Sequence, residues 1–248
     1  MSTFDDYSAR FTRAALQREG RVLEITLHDG NGGSLVWDEP AHRELPDLFH
    51  AVGSDAENRV VILTGAGDSF CAAGDSSGFP SPLTSQSWDK IFTEGRRLLE
   101  NLLGIEVPII AAVNGPATWH AELAVLSDIV IASEDMVLQD VAHFPYAVPG
   151  DGVHTVWPTL LGANRGRYFL LTKQQIGAQE AKELGIVNEV LAKDAVLPRA
   201  RELAQFLMTS DPLTLKYTRL ALTQKLRRAV LEDLAFGLAL EGLGAVQV

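Results

Sequence analysis

The stretch Pro108-Ile109-Ile110-Ala111-Ala112-Val113-Asn114-Gly115-Pro116 is an apolar run cut off by three turn-forming residues. Consecutive apolar positions over strand length need cover on both faces, as in a parallel sheet flanked by helices. Upstream, Val60-Val61-Ile62-Leu63-Thr64 has the same character and is closed by Gly65-Ala66-Gly67-Asp68. Downstream, Ile129-Val130-Ile131-Ala132 and Val137-Leu138-Gln139 read as short strands. Between these runs the period changes. From Trp88 to Leu103, the residues Ile91, Phe92, Leu98, Leu99, Leu102 and Leu103 fall on one helical stripe. A second helix is predicted from Trp119 or His120 to about Ser127.

Farther out, Arg21 to Leu27 alternates and places Leu23, Ile25 and Leu27 on one face of a strand. A loop, Gly30-Asn31-Gly32-Gly33, precedes Asp38, an N-cap candidate for a helix bearing Leu45, Leu48, Phe49 and Val52. Pro40 suits the first turn of that helix, and Pro46 predicts a kink or a break. His154 to Leu171 reads as helical with interruptions near Pro158 and Gly162. A short helix from Ala178 to Leu184 and a strand from Ile186 to Val190 follow. Beyond Lys193 only helical periodicity remains. Strands alternating with helices, then helices alone, predict an α/β core over residues 1–191 and a helical region over residues 192–248.

A chain of 248 residues with a formal net charge of −11 can bury a substantial core and lacks the basic surface that nucleic acid or anionic lipid demands. The single cysteine, Cys71, rules out an internal disulfide and a thiolate metal cluster, and fits a reducing cytoplasm. No apolar run marks a signal peptide or approaches the length of a membrane span.

The chemistry-bearing stretch is His143-Phe144-Pro145-Tyr146-Ala147-Val148-Pro149-Gly150-Asp151-Gly152. Prolines fix φ and glycines permit tight turns, so the loop is well defined and can return Asp151 towards His143. A carboxylate accepting from one imidazole nitrogen makes the other a better base. A structural loop whose His and Asp satisfy backbone groups would contain the same residues, and the loop alone does not choose between the two.

The order of elements, together with two loops, resembles the crotonase (enoyl-CoA hydratase/isomerase) superfamily over nearly the whole chain. Phe70-Cys71-Ala72-Ala73-Gly74-Asp75 is similar to that family's Phe-Cys-Ala-Gly-x-Asp signature. Ala111-Ala112-Val113-Asn114-Gly115, then Glu122-Leu123-Ala124 and Ser127 to Ala132, continue the likeness, and Gly185 to Val190 matches the close of the core. The resemblance implies a spiral of ββα turns with a helical C-terminal region that forms trimers, alone or paired into hexamers. It also implies an oxyanion hole from two backbone N–H groups, one at Gly74 and one in a glycine run at a helix start. At that second place the chain has Thr118-Trp119-His120, one residue shorter than the family's Gly-Gly-Gly. Glu122 stands where one family glutamate would, and no second glutamate occurs in the 143–152 loop.

The departures resemble one branch, β-diketone hydrolases of the 6-oxocamphor hydrolase type, at Trp37, His120, His143, Asp151 and Glu241. The block from His143 through Trp157-Pro158 to Thr172 is especially similar. That resemblance implies a small diketone substrate, no cofactor and no metal. His143 with Asp151 would activate water, while His120 and Trp37 would hold the second carbonyl and then the enolate oxygen. Glu241 would orient the water or relay a proton. Periodicity adds support, because Leu231, Leu234, Leu238 and Glu241 share helical spacing and put this acid on an apolar stripe. Phe79, Glu122, Phe144 and Trp157 are candidate pocket walls. The alternatives are an acyl-CoA enzyme of the same fold and a non-catalytic scaffold.

Overall fold

The computed structural model describes residues 3–246. In chain order the elements are α1 (Phe4–Tyr7), β1 (Ala14–Glu19), β2 (Val22–Leu27), β3 (Leu35–Trp37), α2 (Glu39–Ser54), β4 (Val60–Gly65), β5 (Cys71–Gly74) and α3 (Ser85–Gly104). Then come β6 (Ile109–Val113), α4 (Glu122–Val125), β7 (Ile129–Ser133), β8 (Val137–Leu138), α5 (Val153–Leu161) and α6 (Ala163–Thr172). The chain continues with β9 (Ile176–Gly177), α7 (Ala178–Glu183), β10 (Glu189–Leu191), α8 (Lys193–Met208) and α9 (Pro212–Ala245).

Six strands form the main sheet in the order β1-β2-β4-β6-β7-β10, parallel except for the β1–β2 pair. The unbroken apolar runs of β4 and β6 have a direct cause. Val61, Leu63, Ile109 and Ala111 turn into the large core beneath α2 and α3. Val60, Ile62, Ile110 and Ala112 turn the other way, against Val196, Ala200 and Ala204 of α8. Each strand is therefore covered on both faces, and α8 shares a core with the sheet. A second layer pairs β3 with β5 and β8 with β9; single bridges from Cys71 to Ala117 and from Ala117 to Leu138 join the two pairs. Each turn of the chain thus visits the main sheet, then the small layer, then a helix.

Local expectations meet local physics well at α2. The Asp38 side chain accepts from the Ala41 N–H, and Pro40 sits in the first turn. Elsewhere the structure corrects them. Pro46 and Pro158 lie inside α2 and α5 without ending either helix, whereas Gly162, at φ 81°, does separate α5 from α6. The helix expected from Trp119 or His120 shrinks to α4, because Ala117 is held in bridges to the small layer and His120 takes a left-handed backbone, φ 48°, that no helix continues. Strand β1 was not legible: its inward positions Ala14, Leu16 and Arg18 lack the apolar alternation of β2. No helix among the described residues is long and apolar enough to cross a membrane.

Candidate active site

The 143–152 segment and α9 meet backbone to backbone. A Cβ on Gly150 would stand 2.2 Å from the Gly237 carbonyl oxygen, so both positions need glycine for the close approach. This contact brings the last helix over the loop and carries Glu241 to within 4.0 Å of His143 Nε2. The loop ends on Gly152, at φ 109°, which turns the chain into α5 directly after Asp151.

His143 is buried with both ring nitrogens engaged. Its Nδ1 lies 2.9 and 3.1 Å from the two oxygens of Asp140, and its Nε2 lies 3.4 Å from Asp151 Oδ2. A carboxylate only accepts, so Nδ1 carries a hydrogen and the tautomer is set by Asp140. This corrects the expected couple: Asp151 touches the nitrogen that faces the cavity, and the orienting acid is Asp140, which sequence reasoning missed. An Asp three residues before the His was the available signal, in a segment with no periodicity to give it meaning.

His120 occupies the turn that replaces the glycine run and has a left-handed backbone, φ 48°, unusual for a residue with a side chain. Its Nδ1 is 2.6 Å from Glu122 Oε1 and 3.4 Å from Asp151 Oδ2. Trp37, at the end of β3, stacks on the His120 ring with centroids 3.7 Å apart. Asp151 therefore sits between two imidazoles, and its Oδ1 has no partner among the described residues; neither has Glu241 Oε2.

These groups perturb one another strongly. Burial works against an imidazolium at His143, but the charge of Asp151 and the bonds to Asp140 and Asp151 outweigh it, raising the pKa well above 6.5. At His120, burial is again outweighed, here mainly by Glu122, and the pKa is raised. Burial also opposes charge on Asp151, yet the two imidazoles, His143 foremost, hold it below the usual carboxylate range. At Glu241 burial, then the charge of Asp151, outweighs the same two imidazoles and pushes the pKa up to about 8. Burial raises Glu122 as well, with His120 opposing.

The cavity facing this cluster holds about 430 Å³ and is walled by Trp37, Phe79, Trp88, Leu98 and Leu238, with His120, His143, Asp151 and Glu241 on one side. His42, whose Nδ1 lies 2.9 Å from Glu94, also lines it. Of the expected wall residues, Phe79 is present and three are corrected. Glu122 is buried behind His120, Phe144 turns outward at 40% exposure, and Trp157 stacks on Phe169 in the core. Gly74 is corrected too. The Trp119 indole lies over it so closely that a Cβ there would be 2.4 Å from the ring, and Gly74 does not line the cavity. His120 Nδ1, Glu122 Oε1 and Asp151 Oδ2 lie within 4.8 Å of one another, a spacing a cation could use, although the His120–Glu122 hydrogen bond already engages two of the three. Cys71 is buried with its thiol pKa raised by that burial, so it is no nucleophile.

Comparison with known proteins matches this architecture. The enoyl-CoA hydratase/isomerase family model aligns with residues 17–241. Carnitinyl-CoA dehydratase of Escherichia coli K12 is 31% identical over 202 residues, covering 81% of this chain and 76% of that protein. An enoyl-CoA hydratase/isomerase of Mycobacterium paratuberculosis superposes with a TM-score of 0.86 at 29% identity, over 95% of this chain and 94% of that one. A β-diketone hydrolase from the cyanobacterium Anabaena sp. PCC 7120, bound to (S)-3-oxocyclohexyl acetic acid, superposes with a TM-score of 0.95 at 46% identity, over 97% of each chain. The chain belongs to the enoyl-CoA hydratase/isomerase, or crotonase, family, and within it is similar to a β-diketone hydrolase.

Proposed function

We propose that this protein hydrolyses the carbon–carbon bond of a cyclic or bicyclic β-diketone, yielding a keto acid. The observation that carries the proposal is the placement of two imidazoles on one carboxylate, Asp151, in the wall of an apolar cavity of ring-sized volume. The similarity to the Anabaena diketone hydrolase supports it.

The chemistry asks little of a cofactor, because the departing carbon leaves as an enolate conjugated with the second carbonyl. In the reactive form His143 is neutral, with its hydrogen on Nδ1 towards Asp140 and a lone pair on Nε2. Water beside Nε2 gives up a proton to it while its oxygen bonds to one carbonyl carbon. Asp151 stabilises the imidazolium so formed. The tetrahedral intermediate collapses, the C–C bond breaks, and its electron pair becomes the enolate of the other carbonyl.

His120 is suited to hold that enolate oxygen. One proton shared between Nδ1 and Glu122 leaves Nε2 with its own hydrogen whichever partner keeps the shared one. The donor thus persists although the His120–Glu122 pair is neutral as a whole. The Trp37 indole N–H, bonded to no protein acceptor among the described residues, is the second donor. Glu241, mostly protonated below about 8, returns a proton to the enolate carbon. The proton held by His143 Nε2 then passes to the Glu241 carboxylate, 4.0 Å away, restoring both groups, so that water supplies OH to the acid and H to the ketone fragment.

An acyl-CoA reaction is disfavoured by the Trp119 ring over Gly74, which occupies the space that a thioester carbonyl would need. Leu222 and Phe236 are exposed along α9, which suits a homotrimer as the working assembly. The test is incubation with a symmetric bicyclic diketone, following loss of diketone absorbance and appearance of acid, beside an enoyl-CoA control. Turnover of the diketone is expected; turnover of the enoyl-CoA alone would overturn the reading.

A further inference from the structure

We propose that Trp88 is the specificity-determining wall of the catalytic cavity, closing it to diketones that carry an extended apolar substituent. The identity of the substrate rests on the hydrolase reading above; the wall itself rests on geometry.

Two hollows meet at this residue. The catalytic cavity of about 430 Å³ lies on one side, and an open apolar groove of about 630 Å³, between the start of α3 and the end of α9, lies on the other. Trp88 is the one residue lining both among the described residues. Beyond it the groove is formed by Phe92, Ala239, Leu243 and Val246, with Ser85 and Asp89 at its edge.

The indole is seated by α9. A Cβ on Gly242 would fall 2.1 Å from Trp88 Nε1, so the helix backbone itself forms the rest for the ring. Nε1 is buried and has no hydrogen-bond partner among the described residues. A buried tryptophan usually finds an acceptor for this donor. Here the ring contributes volume and contact alone. The side chain therefore acts as a plug, and Phe would do nearly as well. Removing the plug joins cavity and groove into one apolar channel running from Glu241 and His143 to the protein surface. An alkyl chain on the diketone ring would find apolar cover there that the Trp88 wall denies it on this side.

The experiment compares wild type, Trp88→Ala, Trp88→Leu and Trp88→Phe on a compact bicyclic diketone and on the same diketone bearing a hexyl chain. Binding of the two keto acid products is measured alongside by calorimetry. Trp88→Ala should raise kcat/KM and product affinity for the hexyl compound by about tenfold or more, the scale on which a hydrophobic pocket discriminates by size. Trp88→Leu should show a smaller gain, and it decides the matter if the alanine variant does not fold. Trp88→Phe keeps an aromatic ring against Gly242 and should gain least of the three variants. No gain in either smaller variant, or a gain in Trp88→Phe equal to that in Trp88→Ala, overturns the wall. A gain in product affinity in protein that cleaves no diketone would uphold the wall and sink the hydrolase reading instead.

Discussion

His143 and His120 lean on the same oxygen of Asp151, but through different nitrogens, and the difference separates their chemistry. At His143 the carboxylates stand on opposite sides, Asp140 at Nδ1 and Asp151 at Nε2, so the nitrogen that faces substrate is the one a charge stabilises after it takes a proton. At His120 both carboxylates, Glu122 and Asp151, crowd Nδ1, so the nitrogen left over is a fixed N–H donor. One ring is arranged to gain a proton and the other to offer a hydrogen bond without losing one. In the proposed reaction, two copies of the same side chain would serve as base and electrophile through the position of their acids.

The contrast can be broken most severely at His143. His143→Ala should lower kcat by roughly 10³-fold, the weight of a general base, while calorimetry finds keto acid binding within a few-fold of wild type. Equal kcat would remove His143 from the base role. Next in size is the donor side. His120→Ala removes the imidazole N–H that would meet the enolate oxygen and should cost about 10²-fold, as for the loss of one oxyanion donor. If His120 were merely structural, thermal melting would shift and kcat would hold.

Asp140→Asn sharpens the comparison at smaller cost. Its effect should be roughly tenfold at neutral pH, and the rising limb of the pH–rate profile should move to lower pH, because an anion that favours the imidazolium is gone. The direction follows from His143, whose raised pKa means that activity is absent at low pH and appears as the ring loses its proton, above 6.5. The smallest effect belongs to Glu241. Its protonated form donates, so activity should fall again as it ionises near its pKa of about 8, giving a bell-shaped profile. Glu241→Gln should slow turnover only a few-fold, because the enolate carbon can also take its proton from solvent water, and should abolish the alkaline limb; a limb that survives unchanged would assign it to another group.

Much of the fold is legible because its causes are local. The runs at Val60–Thr64 and Ile109–Val113 announce strands buried on both sides, and Asp38 with Pro40 announces the start of α2. The small layer is less so: β3, β5, β8 and β9 have two to four residues each and draw their order from bridges between distant segments. The site divides in the same way. Glu241 carries a local sign, an acid on an apolar stripe. No spacing connects Trp37, His120 and Asp151, which converge only through the spiral, and resemblance alone drew them together. Asp140 stayed hidden because it precedes its partner by three residues in irregular chain, where only the folded geometry shows that carboxylate and imidazole meet. Phe144 and Trp157 erred for a related reason: neighbours in sequence of a catalytic loop can face solvent or core.

The central claim is that a water molecule, deprotonated at His143, becomes part of the acid product. The most direct measurement is mass spectrometry of the keto acid formed from a bicyclic β-diketone in ¹⁸O-labelled water, for wild type and His143→Ala. The account predicts a single labelled oxygen in the carboxylate for wild type during early turnover and almost no acid from the variant. Wild-type acid without label, or labelled acid from His143→Ala at the wild-type rate, would contradict it.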